Sequence, residues 1–292
     1  MTSPKVVLLL IVNGIFTRLA HAQAPAPLRG QVVDAATGRP LPYASVGVLH
    51  RPVGTVADGE GHFSLAVPGQ YEADSLRISL VGYRAYSVLV GQFRRRGCAA
   101  ETACPVALKA NTELAEVVVR PKGRAVRRVL GNTVATPGAA QAFPSNVLGN
   151  QVGQRIRTKY PAMLEQVSFK IGRCSYDSLF YRVNVYQLGV DGLPDERRNL
   201  LPEAVYVSVA KAQTAERIRT DLSRYQIWLV PGQEVALCLE LVRDLGPGKL
   251  WLAATFPYGG PAFDKDAGVG SEWNRVGAFG AAFNATVTEI RP

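Results

Sequence analysis

Short apolar runs separated by turn residues make up most of the chain from Leu28 onwards. In residues 76–80 the apolar side chains occupy every second position, which is the period of a strand with one buried face. Gly, Pro, Asn and Asp mark the intervening turns, as at residues 35–40 and 58–61. Regularly spaced strands without a helical period predict an antiparallel β-sandwich. The other predicted strands of this half are residues 28–34, 43–49, 63–67, 85–90, 106–108 and 114–119.

A basic segment interrupts this pattern between residues 120 and 150. It carries five Lys or Arg residues, no acidic residue and many Gly, Pro and Ala residues, so we predict a linker over residues 121–147. Alternation then returns and predicts a second β-sandwich over residues 148–292, of jelly-roll type. The fold class is therefore all-β. The predicted strands of this half are 164–171, 178–188, 204–209, 225–230, 234–242, 249–255 and 279–288.

Five segments in the first half resemble a known family. They are residues 30–34 (GQVVD), 37–46 (TGRPLPYASV), 54–65 (GTVADGEGHFSL), 74–83 (DSLRISLVGY) and 113–119 (ELAEVVV). Residues 28–120 thus resemble the carboxypeptidase regulatory-like module of exported proteins from Bacteroidetes-type bacteria. The resemblance implies a seven-stranded sandwich of the transthyretin or immunoglobulin type. Modules of this kind flank catalytic domains or precede receptor barrels and are not known as catalysts.

The N-terminus has the features of a signal peptide. Lys5 precedes the apolar run 6–12, and Ala20-His21-Ala22 supplies the small residues required for cleavage before Gln23. The apolar run is shorter than the roughly 20 residues of a membrane-spanning helix, and we expect no span in the mature chain. We therefore predict removal of residues 1–22 and export to the periplasm, the outer membrane surface or the medium.

The positive charge of the chain narrows the expected partners only slightly. Lys and Arg number 33 against 23 Asp and Glu, but the excess is concentrated in the predicted linker. No aromatic residues alternate with these basic residues, as they do in proteins that stack on single-stranded nucleic acid. We expect no nucleic-acid partner. A glycan or another envelope protein fits the predicted compartment better.

Four cysteines remain after the leader. An exported protein can keep disulfides, so we predict bridges Cys98–Cys104 and Cys174–Cys238. A metal site is not expected, because the cysteine spacing lacks the close pairs of zinc sites and few histidines are available.

Catalytic motifs are missing from the sequence. His50 and His62 both fall in the first domain, so the second domain has no histidine base, and no nucleophile elbow or phosphate loop is present. We predict that the protein is not an enzyme and needs no cofactor. A hydrolase that uses two carboxylates remains an alternative, because the second half is rich in acids. Asp264 and Asp266 are interpreted as members of a solvated loop and not as a calcium site.

Aromatic residues of the second half are the best candidates for ligand binding. Trp273, Tyr258 and Phe263 lie in Gly-rich segments and are predicted to be exposed, whereas Trp228 and Trp251 are expected in the core. These observations predict a non-catalytic exported binding or scaffold protein of the cell envelope. The alternative is a carbohydrate-binding sandwich that stacks sugars on these rings.

Overall fold

The structure is a computed structural model that describes residues 26–98, 104–111, 122–143, 147–257, 260–266, 271–277 and 279–292. The predicted leader (1–22) and the predicted strand 114–119 lie outside these residues. The described chain is nearly all β and forms two sandwich domains, which confirms the predicted fold class. No helix in the described ranges has the length and apolarity to cross a bilayer.

The first domain, called the module below, contains two sheets. Three strands form one sheet in the order β4-β1-β7, and four form the other in the order β3-β2-β5-β6. All pairings are antiparallel except that of β1 with β7. The strands are β1 (Leu28–Asp34), β2 (Ser45–Val48), β3 (Gly54–Val56), β4 (His62–Leu65), β5 (Ser75–Ser79), β6 (Tyr86–Leu89) and β7 (Cys104–Leu108). The helical turns are Gly69–Tyr71, α1 (Val90–Phe93) and the π-helical turn Arg94–Cys98.

Alternation along the strands builds the core of the module. In β5 the side chains of Leu76 and Ile78 are fully buried, while Arg77 and Ser79 lie on the opposite face of the strand. Leu28 and Val32 of β1 and Val46 and Val48 of β2 join the same core. The outward face of the central strands β2 and β5 is left with small and polar residues.

The second domain is a sandwich of two antiparallel sheets. The front sheet has the order β13-β12-β17-β10-β19-β20, with β14 also on β12. The back sheet has the order β21-β18-β11-β22-β8, with β15 and β16 on β11 and β9 on β18. The first strands are β8 (Arg124–Gly131), β9 (Ala140–Ala142), β10 (Gln151–Arg157), β11 (Ala162–Cys174), β12 (Ser178–Leu188), β13 (Pro194–Asn199) and β14 (Val205–Ala210). The others are β15 (Arg217–Asp221), β16 (Ile227–Leu229), β17 (Glu234–Leu241), β18 (Leu250–Thr255), β19 (Ala262–Lys265), β20 (Trp273–Val276), β21 (Gly280–Ala281) and β22 (Asn284–Arg291), with helical turns at Lys211–Gln213 and Ser223–Tyr225.

The basic segment predicted as a linker is part of this domain. Strand β8 pairs residue for residue with β22, from Arg124 opposite Arg291 to Gly131 opposite Asn284, and β9 pairs with β18. The prediction of a linker over residues 121–147 is therefore wrong for these stretches. Charge and strand structure are compatible here because β8 lies at the edge of the back sheet, where basic side chains reach water.

The cysteines of the second domain do not form a bridge. Cys174 and Cys238 are both free, so the predicted Cys174–Cys238 disulfide is wrong. Cys238 lies on the outer face of the front sheet beside Tyr186 and Phe263, whereas Cys174 packs against the main core at the end of β11. The two cysteines belong to different sheets and to different clusters, so their sulfur atoms lie apart. The side chain of Cys98 lies outside the described residues, and the Cys98–Cys104 bridge stays a prediction.

Candidate functional site

Charged and amide side chains cover the outer face of the front sheet, yet they are buried. Arg182 and Asn184 on β12 and Glu240 on β17 alternate with core residues such as Val183 and Leu239. Arg182 is 3% exposed and Glu240 is 2% exposed. The module makes this burial possible, because the start of its strand β2 lies against this face.

Arg182 is the centre of a hydrogen-bond network that joins the two domains. Its Nε donates to Glu240 Oε2 at 3.1 Å, and its Nη2 lies 2.7 Å from Glu240 Oε1. Its Nη1 donates to the carbonyl oxygen of Tyr43 at 2.9 Å, and the hydroxyl of Ser45 donates to Glu240 at 3.0 Å. Burial works to lower the pKa of Arg182, but the attraction of Glu240 and the hydrogen bond to it raise that pKa overall. The guanidinium therefore stays charged between the domains.

Amide side chains extend this network along the sheet. Asn184 donates from Nδ2 to Glu240 at 2.8 Å and to Gln151 at 3.3 Å, and its Oδ1 accepts a bond from Asn199 at 2.9 Å. Glu240 thus accepts hydrogen bonds from three residues. A buried carboxylate with so many donors has its charge fully compensated.

Aromatic rings anchor the loop that leads into β2. The ring of Tyr43 packs against Phe180 at 5.1 Å and against Tyr206 at 5.2 Å between centroids. Phe180 and Tyr206 stack on each other, and the guanidinium of Arg243 lies 4.6 Å from the centroid of Phe180. Tyr43 has a φ of 59°, and its carbonyl oxygen accepts the hydrogen bond from Arg182.

A second contact joins the domains at the loop after β5. Gly82 has a φ of 88°, and a Cβ atom built on it would lie 2.7 Å from the carbonyl oxygen of Pro202. Its neighbour Val81 packs against the main core of the second domain, and Ala204 packs against the module core. Only glycine allows the two backbones to approach this closely.

A cleft of about 760 Å³ lies between the module and the second domain. One wall is the outward face of β5 with the loop that follows it, and the other is the outer face of β12 with the segment after β13. The Tyr225–Val230 stretch completes the cleft at one side. This volume falls in the range of small-molecule sites. Side chains that line the cleft include Arg77, Ser79, Tyr83, Gln187, Asn199 and Trp228.

Phe263 and Trp273, two of the aromatic residues predicted to bind a ligand, do not line this cleft. Phe263 is 1% exposed and belongs to a small cluster on the outer face of the front sheet, so its ring cannot stack on a ligand. Trp273 is half-buried against Phe263 and Tyr186, with Lys265 Nζ 5.7 Å from its ring centroid. Tyr258 lies outside the described residues. The predicted exposed platform is therefore corrected to a packed cluster for Phe263 and Trp273, because β19 and β20 pair side by side.

Trp228 is the tryptophan that lines the cleft, although we expected it in the core. Ile227 and Leu229 on either side of it are buried, while Trp228 is half-exposed on the other face of β16. The alternation around residue 228 was the signal that could have identified it. Trp251 is also half-buried, but it does not line the cleft.

The carboxylates that line the cleft are both held by buried cations. Glu240 is paired with Arg182, and Glu196 accepts a hydrogen bond from Lys265, whose side chain is 0% exposed. Neither His50 nor His62 is among the residues lining the cleft. Across the described part of the chain, no three His, Cys, Asp or Glu side chains come together as metal ligands.

Fold and cleft together define a two-domain β-sandwich protein with a polar interdomain site. Residues 28–119 match the family model described as the CarboxypepD_reg-like domain, so the module is a carboxypeptidase regulatory-like domain. Such a domain is a β-sandwich of the binding or scaffold kind. No curated protein matches the chain.

Solved structures with a partial likeness come from infectious bursal disease virus. The structure of its Gt strain shares 10% identity over 91% of this chain, with a TM-score of 0.26. Its VP2 subviral particle shares 11% identity over 92% of this chain and 67% of that chain, with a TM-score of 0.23. This chain spans 62% of the Gt-strain chain. Similarity at this level carries no argument about function.

Proposed function

We propose that the protein is a non-catalytic exported binding protein of the cell envelope and that its ligand occupies the interdomain cleft. The observation that carries the proposal is the cleft itself, whose walls combine aromatic rings, amides and a guanidinium. Its carboxylates are engaged in ion pairs with Arg182 and Lys265. Acids that are held in this way are poor proton donors or acceptors, which favours binding over catalysis.

The proposal is tested by measuring binding and turnover on the same compounds. A panel of oligosaccharides is added to the purified full-length protein, and the melting temperature and the release of reducing ends are both recorded. We expect at least one compound to raise the melting temperature without product release. Turnover that depends on Glu196 or Glu240 would instead support a carboxylate-dependent hydrolase.

Carbohydrate is the ligand class that the cleft favours. Tyr83 and Trp228 offer rings on which a sugar can stack, and Gln187 and Asn199 offer amide groups for its hydroxyls. Trp228→Ala should weaken binding of a stabilising oligosaccharide by about tenfold. Trp251→Ala is the matched control, since Trp251 is similarly exposed but lies outside the cleft. Equal losses in the two variants would argue against sugar binding in the cleft.

Export is proposed from the N-terminal sequence alone. The order of Lys5, the apolar run 6–12 and Ala20-His21-Ala22 supports a cleaved leader. N-terminal sequencing of the protein from cell fractions should find Gln23 at the start of the chain outside the cytoplasm. A full-length chain confined to the cytoplasm would contradict this part of the proposal.

A further inference from the structure

Arg77 is the charged side chain by which the module contributes to the cleft. It lies on the outward face of β5, between the core residues Leu76 and Ile78. The module residues on this wall include the small Ser45, Ser79 and Ala85 as well as the larger, uncharged Tyr83 and Asn111. Arg77 is thus the charged module residue among those that line the cleft.

The guanidinium of Arg77 has no acidic partner in the described part of the chain, although it is half-buried. The other arginines of the cleft are paired: Arg182 with Glu240, and Arg197 with Asp195 at 3.0 Å. The acid Glu196 is likewise engaged by Lys265. Arg77 is therefore the cation of the cleft whose charge is left for a ligand.

We infer that the cleft selects sugars that carry a carboxylate, of the uronic-acid type, and that Arg77 binds the carboxylate. This inference rests on the proposed binding of carbohydrate in the cleft. A guanidinium bonds a carboxylate through two parallel N–H groups, which gives both strength and orientation. The rings and amides on the cleft walls would hold the rest of the sugar, as they would for a neutral one. Charge is thus the property that separates the preferred ligand from other sugars.

The test compares acidic sugars with their uncharged counterparts. Oligomers of galacturonate, mannuronate and glucuronate are each measured by titration calorimetry alongside the same oligomer after reduction of its carboxyl groups. At least one acidic oligomer should bind about tenfold more tightly than its reduced form, the size expected for a charge-assisted bond. Arg77→Gln should bring the two affinities to within about twofold by weakening only the acidic oligomer.

Two further variants of the full-length protein separate the inference from the proposed function. Trp228→Ala should weaken the acidic and reduced oligomers alike, because it removes a ring and no charge. Arg39→Gln, an exposed arginine of the module outside the cleft, should leave the preference unchanged.

Each result supports or overturns a defined claim. Equal affinities of the wild-type protein for acidic and reduced oligomers would overturn the inference and leave sugar binding standing. A preference that survives in Arg77→Gln would overturn the role of Arg77. If neither the acidic nor the reduced oligomers bind, both the inference and the proposed binding of carbohydrate fail. Binding of an acidic peptide but of no oligomer would overturn the same two claims.

Discussion

At the scale of single residues, the contacts between the domains depend on two positive φ angles. Tyr43 reaches a φ of 59° and Gly82 a φ of 88°. Tyr43 tolerates the conformation because its ring is held by Phe180 and Tyr206. Gly82 has no side chain, so its backbone can lie against the carbonyl oxygen of Pro202.

Gly82→Ala should lower the free energy of unfolding more than a comparable change elsewhere. The added methyl group would meet the left-handed backbone and also the carbonyl oxygen of Pro202 at 2.7 Å. Gly38→Ala is the matched control, since Gly38 has a φ of 68° and open space around it. We expect Gly82→Ala to exceed the control by at least about 1 kcal/mol in urea denaturation. Equal losses of unfolding free energy in the two variants would show that the close contact of residue 82 with Pro202 adds little to the cost of the substitution.

Asp264 should make stability depend on pH. Burial raises the pKa of this carboxyl, Asp266 raises it further, and the hydrogen bond from Asn274 only partly opposes them. Because the folded-state pKa lies above the unfolded one, the protein loses stability as pH rises through this range. Asp264→Asn should therefore raise the free energy of unfolding at pH 7, by less than about 1 kcal/mol because the group is partly solvated.

The gain from Asp264→Asn should shrink as the pH falls below about 4 and disappear by about pH 3, where the carboxyl is mostly protonated in both states. Asp221 serves as a control of opposite sign, since hydrogen bonds from Ser223 lower its pKa. Asp221→Asn should reduce stability at neutral pH. A gain that persists at pH 3 would contradict the explanation given for Asp264.

Thiol labelling tests the assignment of the cysteines. The unreduced protein, unfolded in denaturant, should expose two reactive thiols, those of Cys174 and Cys238. Reduction should add Cys98 and Cys104 if they are bridged. In the native protein Cys238 should react slowest, because burial raises the pKa of its thiol and the thiolate is the reactive form. Four thiols before reduction would refute the predicted Cys98–Cys104 bridge.

At the scale of elements, the edge strand β8 is where the sequence was most misleading. Its burial pattern is mostly exposed, so it lacks the clear alternation of β5 or β12. Its place in the back sheet comes from hydrogen bonds to β22, an element more than 150 residues away in the chain. The ion pair of Arg127 with Glu165 at 2.9 Å adds a side-chain contact to the same sheet.

Leu130→Ala distinguishes a strand from a linker in this segment. Leu130 packs partly against the main core, so its truncation should cost about 1–2 kcal/mol in the free energy of unfolding. Val134→Ala is the control, because Val134 is 70% exposed and its truncation should cost less than about 0.5 kcal/mol. If both variants unfold like the wild type, the segment behaves as a linker in solution.

At the scale of the whole molecule, the ion pair of Arg182 and Glu240 couples the two domains. Both partners come from the front sheet, but the module supplies the Tyr43 carbonyl and the Ser45 hydroxyl that complete their bonding. Removal of one charge leaves the other buried without a counter-charge. The domains are therefore expected to unfold together.

Glu240→Gln should destabilise the protein by about 3–5 kcal/mol, whereas the double variant Arg182→Met with Glu240→Leu should recover much of this loss. The exposed pair of Lys211 and Asp177 provides the control, and Asp177→Asn should cost less than about 1 kcal/mol. Urea denaturation measures all three. A loss in Glu240→Gln no larger than in Asp177→Asn would mean that water reaches the buried pair.

Much of the fold could be predicted from local sequence patterns. The predicted strand 178–188 coincides with β12, and predicted strands 164–171 and 234–242 lie on β11 and β17 within a few residues. The alternation of 76–80 also placed Arg77 and Ser79 on the face opposite the core. The candidate site was predicted less well, since the chosen rings of Phe263 and Trp273 pack against each other.

By itself, the sequence determined the fold class, the module and the inward face of most strands, because each follows from residues that are neighbours in the chain. The tertiary structure decided that the outward faces of β5 and β12 are brought together around a cleft, and that β8 completes the back sheet. An outward face carries the same polar pattern whether water or another domain covers it. Whether a domain covers such a face depends on contacts between residues far apart in the chain, such as Ser45 with Glu240. The alternation of apolar and polar residues along a strand does not reveal these contacts.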